Sequence, residues 1–336
     1  MVGGRSLLKT VRRFSSAAAG TVPPGALLSL ERWARGREDC RLLRDSDYAI
    51  VSYPKSGRTW LNVILSKYFQ LRYDLPDYLL IRHDNLHRRN PSIPTILFTH
   101  DSHIRDYTRR GSSKAPFYAK PTMLLIRHPA DTAISLYFHW RHRMQPGKTA
   151  LSELPAHGTD IALFQFVMRE FGLPRVVRFL NEWAREIPRV ENLLLVRYED
   201  LRVNPHAEVG RMLRWMAQDP SDAEIASAVE FASFENLKQL EARDLFRANG
   251  SKGLSPGDRS NPDSFKVRRA KVNGYCDYFD ADQVREIEDC IRDRLDPALG
   301  YGEAPPAPPV GPMATPEPQS MASSDLIGTT ISRPPK

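Results

Sequence analysis

The octapeptide Tyr53-Pro54-Lys55-Ser56-Gly57-Arg58-Thr59-Trp60 constrains this chain more than any other stretch, because of what flanks it. Before it runs the apolar segment Tyr48-Ala49-Ile50-Val51-Ser52, and after it Trp60, Leu61, Ile64, Leu65 and Tyr68 recur at helical spacing. Strand, tight loop and helix in that order put the first N–H groups of a helix, which have no intrahelical partner, beside Gly57, where the backbone can approach an anion closely. Lys55 adds a full positive charge, and the turn reads as a phosphate cradle. An ordinary βα turn would carry the same residue types, so this segment alone does not decide between the two. The P-loop order GxxxxGK[ST] is absent, since here the Lys precedes the Gly, and that weighs against an ATPase or GTPase.

Three further short apolar runs follow, at residues 95–99 (TILFT), 122–126 (TMLLI) and 193–197 (LLLVR). Apolar residues at consecutive positions mean that both faces of each strand are covered, as in a parallel sheet between helices. Polar loops and then helical patterns, such as residues 131–143 and 206–216, come after the strands. The fold class expected is therefore α/β, a single domain with a central parallel β-sheet flanked by helices, over residues 45–302. Residues 303–336 run through EAPPAPPVGPMATPEPQS into Ser and Thr, a Pro-rich tail with too few large apolar groups to offset the entropy of ordering. Residues 1–44 read as a partly disordered arm. It carries Arg5, Lys9, Arg12 and Arg13 with no acidic residue before Glu31, a composition shared by organelle transit peptides and plain basic arms.

A net charge of +8 from scattered basic residues favours an anionic ligand or substrate, and no nucleic-acid partner is expected. The three cysteines, Cys40, Cys276 and Cys290, form no CxxC pair, which argues for a reducing compartment and against a zinc site. His83/His87 and His139/His142 have helical spacing, but neither pair brings a third ligand; they read as exposed histidines and no metal is expected. No stretch approaches the roughly 20 apolar residues of a membrane span, so the expected location is cytoplasmic.

A second motif follows the third strand: Arg127-His128-Pro129-Ala130-Asp131-Thr132-Ala133-Ile134-Ser135, with Pro129 and Asp131 marking a helix start. With the octapeptide, it resembles the sulfotransferases that use 3′-phosphoadenylyl sulfate (PAPS). Their 5′-phosphosulfate loop is YPKSGTTW, from which this chain departs only at Arg58, and their RxPxDxxxS segment grips the 3′-phosphate through its Arg and Ser, here Arg127 and Ser135. Arg58 replaces a hydroxyl with a guanidinium, itself a strong phosphate ligand. The resemblance continues through Tyr198-Glu199-Asp200-Leu201, whose Tyr hydrogen-bonds the adenine, and Ser233-Phe234-Glu235, whose Phe stacks on the base with the Ser near the 3′-phosphate. Trp60 would form the other face of that stack. The family's RKGxxGDWK loop has a divergent counterpart in Arg268-Arg269-Ala270-Lys271-Val272-Asn273-Gly274-Tyr275. Arg268, Arg269 and a backbone N–H of Ala270 are its implied phosphate contacts.

The resemblance covers residues 46–301 and implies a five-stranded parallel sheet, with PAPS bound at the strands' carboxyl ends by Lys55, Ser56, Gly57, Arg58, Thr59 and Trp60 together with the residues above. It also implies in-line sulfuryl transfer to a hydroxyl or amine. Lys55 would offset charge on the departing phosphate oxygen, and His100, in the slot of the family's KTH sequence, would be the base; the family's Lys there is Phe98. Asp101 and His103 are alternative bases. A small-molecule, glycan or lipid acceptor is implied, and the family's dimer segment is not evident. The competing readings are a small-molecule kinase of related fold and a non-catalytic nucleotide- or polyanion-binding protein.

Overall fold

The computed structural model describes residues 10–11, 21–246 and 254–301. Four strands, β1 (Tyr48–Ser52), β2 (Ile96–Thr99), β3 (Thr122–Ile126) and β4 (Leu193–Arg197), form one parallel sheet in the order β2-β1-β3-β4. Eleven α-helices are described: α1 (Pro24–Asp45), α2 (Arg58–Arg72), α3 (Ser102–Thr108), α4 (Pro129–His142), α5 (Leu163–Met168), α6 (Leu173–Glu186), α7 (Tyr198–Val203), α8 (Pro205–Trp215), α9 (Asp222–Phe231), α10 (Phe234–Ala242) and α11 (Ala281–Arg294).

Alternate residues of the central strands serve opposite cores, which is why their sequences are apolar without a break. Val51, Leu124 and Ile126 pack with α4, α6 and α11, while Ile50, Met123 and Leu125 pack with α2, α8 and α9. Each such side chain contributes about 1.5–3 kcal/mol on full burial.

The sheet has four strands among the described residues, where the resemblance implies five. Its edges are closed by other means. The amide of Ile96 on β2 donates to the carbonyl of His83 at 3.1 Å, and the Arg211 guanidinium donates to the Leu195 carbonyl of β4 at 3.0 Å. After Arg197 the apolar residues recur at helical spacing, and the chain goes into α7–α11.

The segment before residue 45 also differs from a plain arm. Pro24–Asp45 is a 22-residue helix with Pro at its start, and Ala34, Gly36, Cys40 and Leu43 are buried. It lies close against α3. A β-carbon on Gly36 would meet the His103 carbonyl oxygen at 1.9 Å. Residues 1–9, 12–20 and the Pro-rich tail lie outside the described residues. Among the described residues, no helix is long and apolar enough to cross a membrane.

From β1 the chain crosses to β2 on one side and then passes to β3 on the other, so the carboxyl ends of β1 and β3 flank a topological switch point. A ligand crevice forms at such a point because the connections diverge there.

Candidate functional site

The loop after β1 turns tightly into α2. Lys55 takes φ of 78° and Gly57 φ of 98°, both left-handed. Gly57 caps the helix with no side-chain hydrogen bond, so the amides of the first turn are available to an external acceptor. Two cations stand beside them. Burial pushes the Lys55 ammonium well below its ordinary value, and Lys266, Arg143 and Arg127 push the same way. Arg58 is lowered to about 10, again chiefly by burial. Neither makes an ion pair among the described residues, and a ligand carrying negative charge would relieve both.

This loop forms one wall of a cavity of about 300 Å³. Of the residues singled out from sequence, His100, Lys55, Gly57, Arg58, Thr59, Trp60, Arg127, Ser135, Tyr198, Phe234, Arg268, Arg269 and Ala270 all line it. Two do not. Ser56 is buried beneath the loop, and the Ser233 hydroxyl caps α10 by accepting from the Asn236 amide at 3.4 Å.

Arg127, at the end of β3, joins two loops by donating to the carbonyls of Lys55 at 3.4 Å and Lys271 at 3.3 Å. Its guanidinium sits 4.4 Å from the centre of the Tyr198 ring. Tyr198 meets Trp60 edge-on at 5.6 Å, and the Trp60 indole donates to the Ala232 carbonyl at 2.9 Å, just before Phe234. The three rings thus line the cavity together, with the Arg127 and Arg202 guanidiniums over Tyr198 and Trp60, an arrangement suited to a planar base.

The basic loop is held from below. Glu241, fully buried, accepts from the amides of Lys266 at 2.7 Å and Val267 at 2.8 Å and pairs with Arg143 at 3.0 Å. Ala270 adopts φ of 51°, the left-handed conformation that a glycine would take more easily. Arg268 rests over Phe138, 3.7 Å from the ring centre, and donates to the Tyr278 hydroxyl; Arg269 pairs with Asp277.

Lys266, Lys271, Arg202 and His139 also line this cavity and were not legible as site residues. Burial lowers Lys266 to about 7, with Arg143 and Arg58 adding to the effect. His139 is lowered to about 3, mainly by burial and then by Lys55. The four histidines noted for their spacing are half-buried, contrary to the exposed reading, because their helix and loop fold against the domain. His87, for one, bonds the Ile93 carbonyl at 2.7 Å. Among the described residues no group of three or more His, Cys, Asp or Glu is placed to hold a metal.

A second cavity, about 520 Å³, adjoins the first, and the two share Pro54, Arg58, His100 and His139 as common wall. His100 bonds the Ser52 carbonyl through Nδ1 at 2.6 Å. Nδ1 therefore carries the proton and Nε2 is the accepting nitrogen. Burial, and next the Arg58 charge, hold its pKa well below 6.5, so the ring is neutral at pH 7. Of the alternative bases, Asp101 is buried in an ion pair with Lys114 at 2.7 Å, and His103 lines only the second cavity, 3.7 Å from Asp106.

Residues 45–298 match the family model described as the sulfotransferase domain. The flavonol 4′-sulfotransferase of Flaveria chlorifolia is 24% identical over 271 residues, covering 75% of this chain and 80% of that protein. The amine sulfotransferase of Oryctolagus cuniculus is 25% identical over 270 residues, covering 75% and 82%. Among solved structures, mouse sulfotransferase SULT7A1 complexed with PAP aligns with a TM-score of 0.48 at 19% identity, covering 77% of this chain and 93% of that one.

Proposed function

Because this chain belongs to the sulfotransferase domain family and is an enzyme of sulfuryl transfer, we propose that it takes the sulfuryl group from PAPS and passes it in line to an acceptor in the second cavity. The observation that carries this reading is the wall shared by the two cavities. His100 and Arg58 stand on it, and Lys55 lines the first cavity beside them. A donor held on one side and an acceptor on the other would meet there.

The donor fits the first cavity by charge and shape. The uncapped start of α2, with Lys55, Arg58 and Thr59, suits the 5′-phosphosulfate. Arg127, Ser135, Arg268, Arg269 and the Ala270 amide suit the 3′-phosphate, and Trp60, Tyr198 and Phe234 suit the adenine. Ser56 and Ser233 support the loop and helix that carry these contacts.

In the transfer, the acceptor oxygen bonds to sulfur as the bond from sulfur to the phosphate oxygen breaks, and PAP departs with that electron pair. The acceptor proton passes to Nε2 of His100, which is neutral and has its other nitrogen engaged by Ser52. Lys55 then faces the charge gathering on the departing oxygen. Asp101 is the weaker base, being already committed to Lys114.

Incubating the enzyme with labelled PAPS and a broad set of acceptors, with mass spectrometry for the added sulfate, tests the reading. Transfer without any divalent metal and tight PAP binding are expected. A protein that binds PAP but never turns over would support the non-catalytic alternative instead.

A further inference from the structure

The second cavity is walled largely by charge. Arg32 of α1 reaches Glu153 at 2.6 Å and Asp106 at 3.8 Å, and Glu153 is shared with Arg175. Opposite, the buried Lys114 ammonium lies between Asp101 at 2.7 Å and Glu182 at 3.1 Å, and Arg105 approaches Glu182 at 3.7 Å. Arg35 pairs with Glu31 at 2.7 Å, and Arg178 pairs with Glu170. Leu136, Met144, Leu151 and Leu154, with the Tyr53–Phe179 ring pair, form an apolar part of the same wall.

These pairs neutralise one another and leave one lining cation, Lys148, with no ion pair among the described residues and no part in the donor site; Arg58, the other cation outside these pairs, is assigned to the donor's 5′-phosphosulfate and lies near Asp39. Arg58 stands at the wall shared with the donor cavity, and Lys148, exposed, stands toward solvent. An apolar group laid over the charged part of this wall would desolvate the ionic lattice without giving it partners, which is unfavourable at every charged group covered. A small molecule with hydroxyls and one anionic group would meet the lattice with hydrogen bonds and the spare Lys148 ammonium with its charge. Part of this wall, Arg32 and Arg35 of α1, precedes residue 45, where the match to the family begins, so it is built by a segment that the family model does not describe.

We propose that the acceptor is a small hydroxylated compound bearing a carboxylate or phosphate, its anion held by Lys148 at the solvent side of the cavity and its hydroxyls by the lattice that Arg32 helps to build. This rests on the sulfotransferase reading and concerns its acceptor. Its test is the binding of matched compounds to enzyme saturated with PAP: glucose against glucuronate, glucose against glucose 6-phosphate, and phenol against 4-hydroxybenzoate, each by calorimetry. The anionic member of at least one pair should bind ~10-fold or more tightly than its neutral mate, and the sugar pairs distinguish carboxylate from phosphate. Lys148→Ala should remove most of that preference while leaving PAP affinity unchanged. No anionic preference in any pair, or one that survives Lys148→Ala, overturns the proposal. Failure of PAP itself to bind would instead remove the donor assignment beneath it.

Discussion

Tyr198 packs so closely over Gly57 that a β-carbon there would lie 2.6 Å from Cδ2 of the ring. The aromatic side of the first cavity and the loop after β1 are thus fitted to each other through a missing side chain. Gly57 also holds φ of 98°, which an L-residue adopts only with strain. Gly57→Ala should therefore lower stability by about 1–3 kcal/mol, the usual cost of such strain, and weaken PAP binding as Tyr198 is displaced. Thermal melting and PAP titration check the two effects; wild-type values for both would show that the loop tolerates a side chain.

Arg127 donates to the carbonyls of Lys55 and Lys271 and so ties together the loops assigned to the two phosphate groups. Arg127→Ala should erase most of the preference for PAP over 5′-AMP, because the 3′-phosphate loses its charge-assisted partner and the loops lose their brace. Equal affinities for the two nucleotides in the wild type would remove the 3′-phosphate assignment.

Lys55 has its charged form disfavoured by burial and by three neighbouring cations. Developing negative charge on the departing oxygen would relieve that cost. Lys55→Ala should lower kcat by ~100-fold or more, on the scale of a lost preorganised donor, with a smaller loss in PAP affinity. An unchanged kcat removes Lys55 from the transfer step.

His128 offers a measurement on stability alone. It is buried, stacked at 4.9 Å on Tyr275, and lowered to about 3 by burial with Arg127 and Arg197 adding to it. Above pH 6.5 neither folded nor unfolded chain protonates this ring, and its contribution is complete. Below 6.5 only the unfolded chain takes the proton, so stability falls until about pH 3. His128→Phe keeps a ring for the stack and should flatten the dependence of unfolding free energy on pH by about 1.4 kcal/mol per unit in that window. Parallel pH curves for the two proteins would show that His128 is protonated in the fold.

The sheet and the phosphate loop were legible because their signals are local. Unbroken apolar runs mark strands covered on both faces, and a Lys and a Gly between strand and helix mark an anion site. Arg127 and Ser135 were singled out by the RxPxDxxxS resemblance, and the structure brings both to the wall of the first cavity. Lys266 and His139 were not legible. Nothing beside them in sequence says that they face the cavity, which arises only when Glu241 draws the basic loop against Arg143 on the neighbouring chain segment. The wall of the second cavity was hidden for the same reason, since its ion pairs join Arg32 to Glu153 and Lys114 to Glu182 across long stretches of chain. Ser233 shows the converse limit: a motif named it, and local geometry spent its hydroxyl on a helix cap.

The base assignment turns on which imidazole nitrogen is available. Nδ1 of His100 is engaged by the Ser52 carbonyl at 2.6 Å, which leaves Nε2 as the acceptor on the wall between the two cavities. His100→Ala should leave PAP affinity close to wild type and lower kcat by ~10²–10⁴-fold, as for a lost acid/base group. His103→Ala should do far less, since His103 lines only the second cavity and sits beside Asp106. Because burial and Arg58 hold His100 well below 6.5, protonation of the base begins only at a lower pH, and kcat/KM should show no decline centred on 6.5 that His100→Ala removes. A decline at 6.5 lost in that variant would place the imidazole in water, outside the buried wall. Full activity in His100→Ala would move the proton transfer elsewhere, and a dead His103→Ala beside it would assign it to that ring.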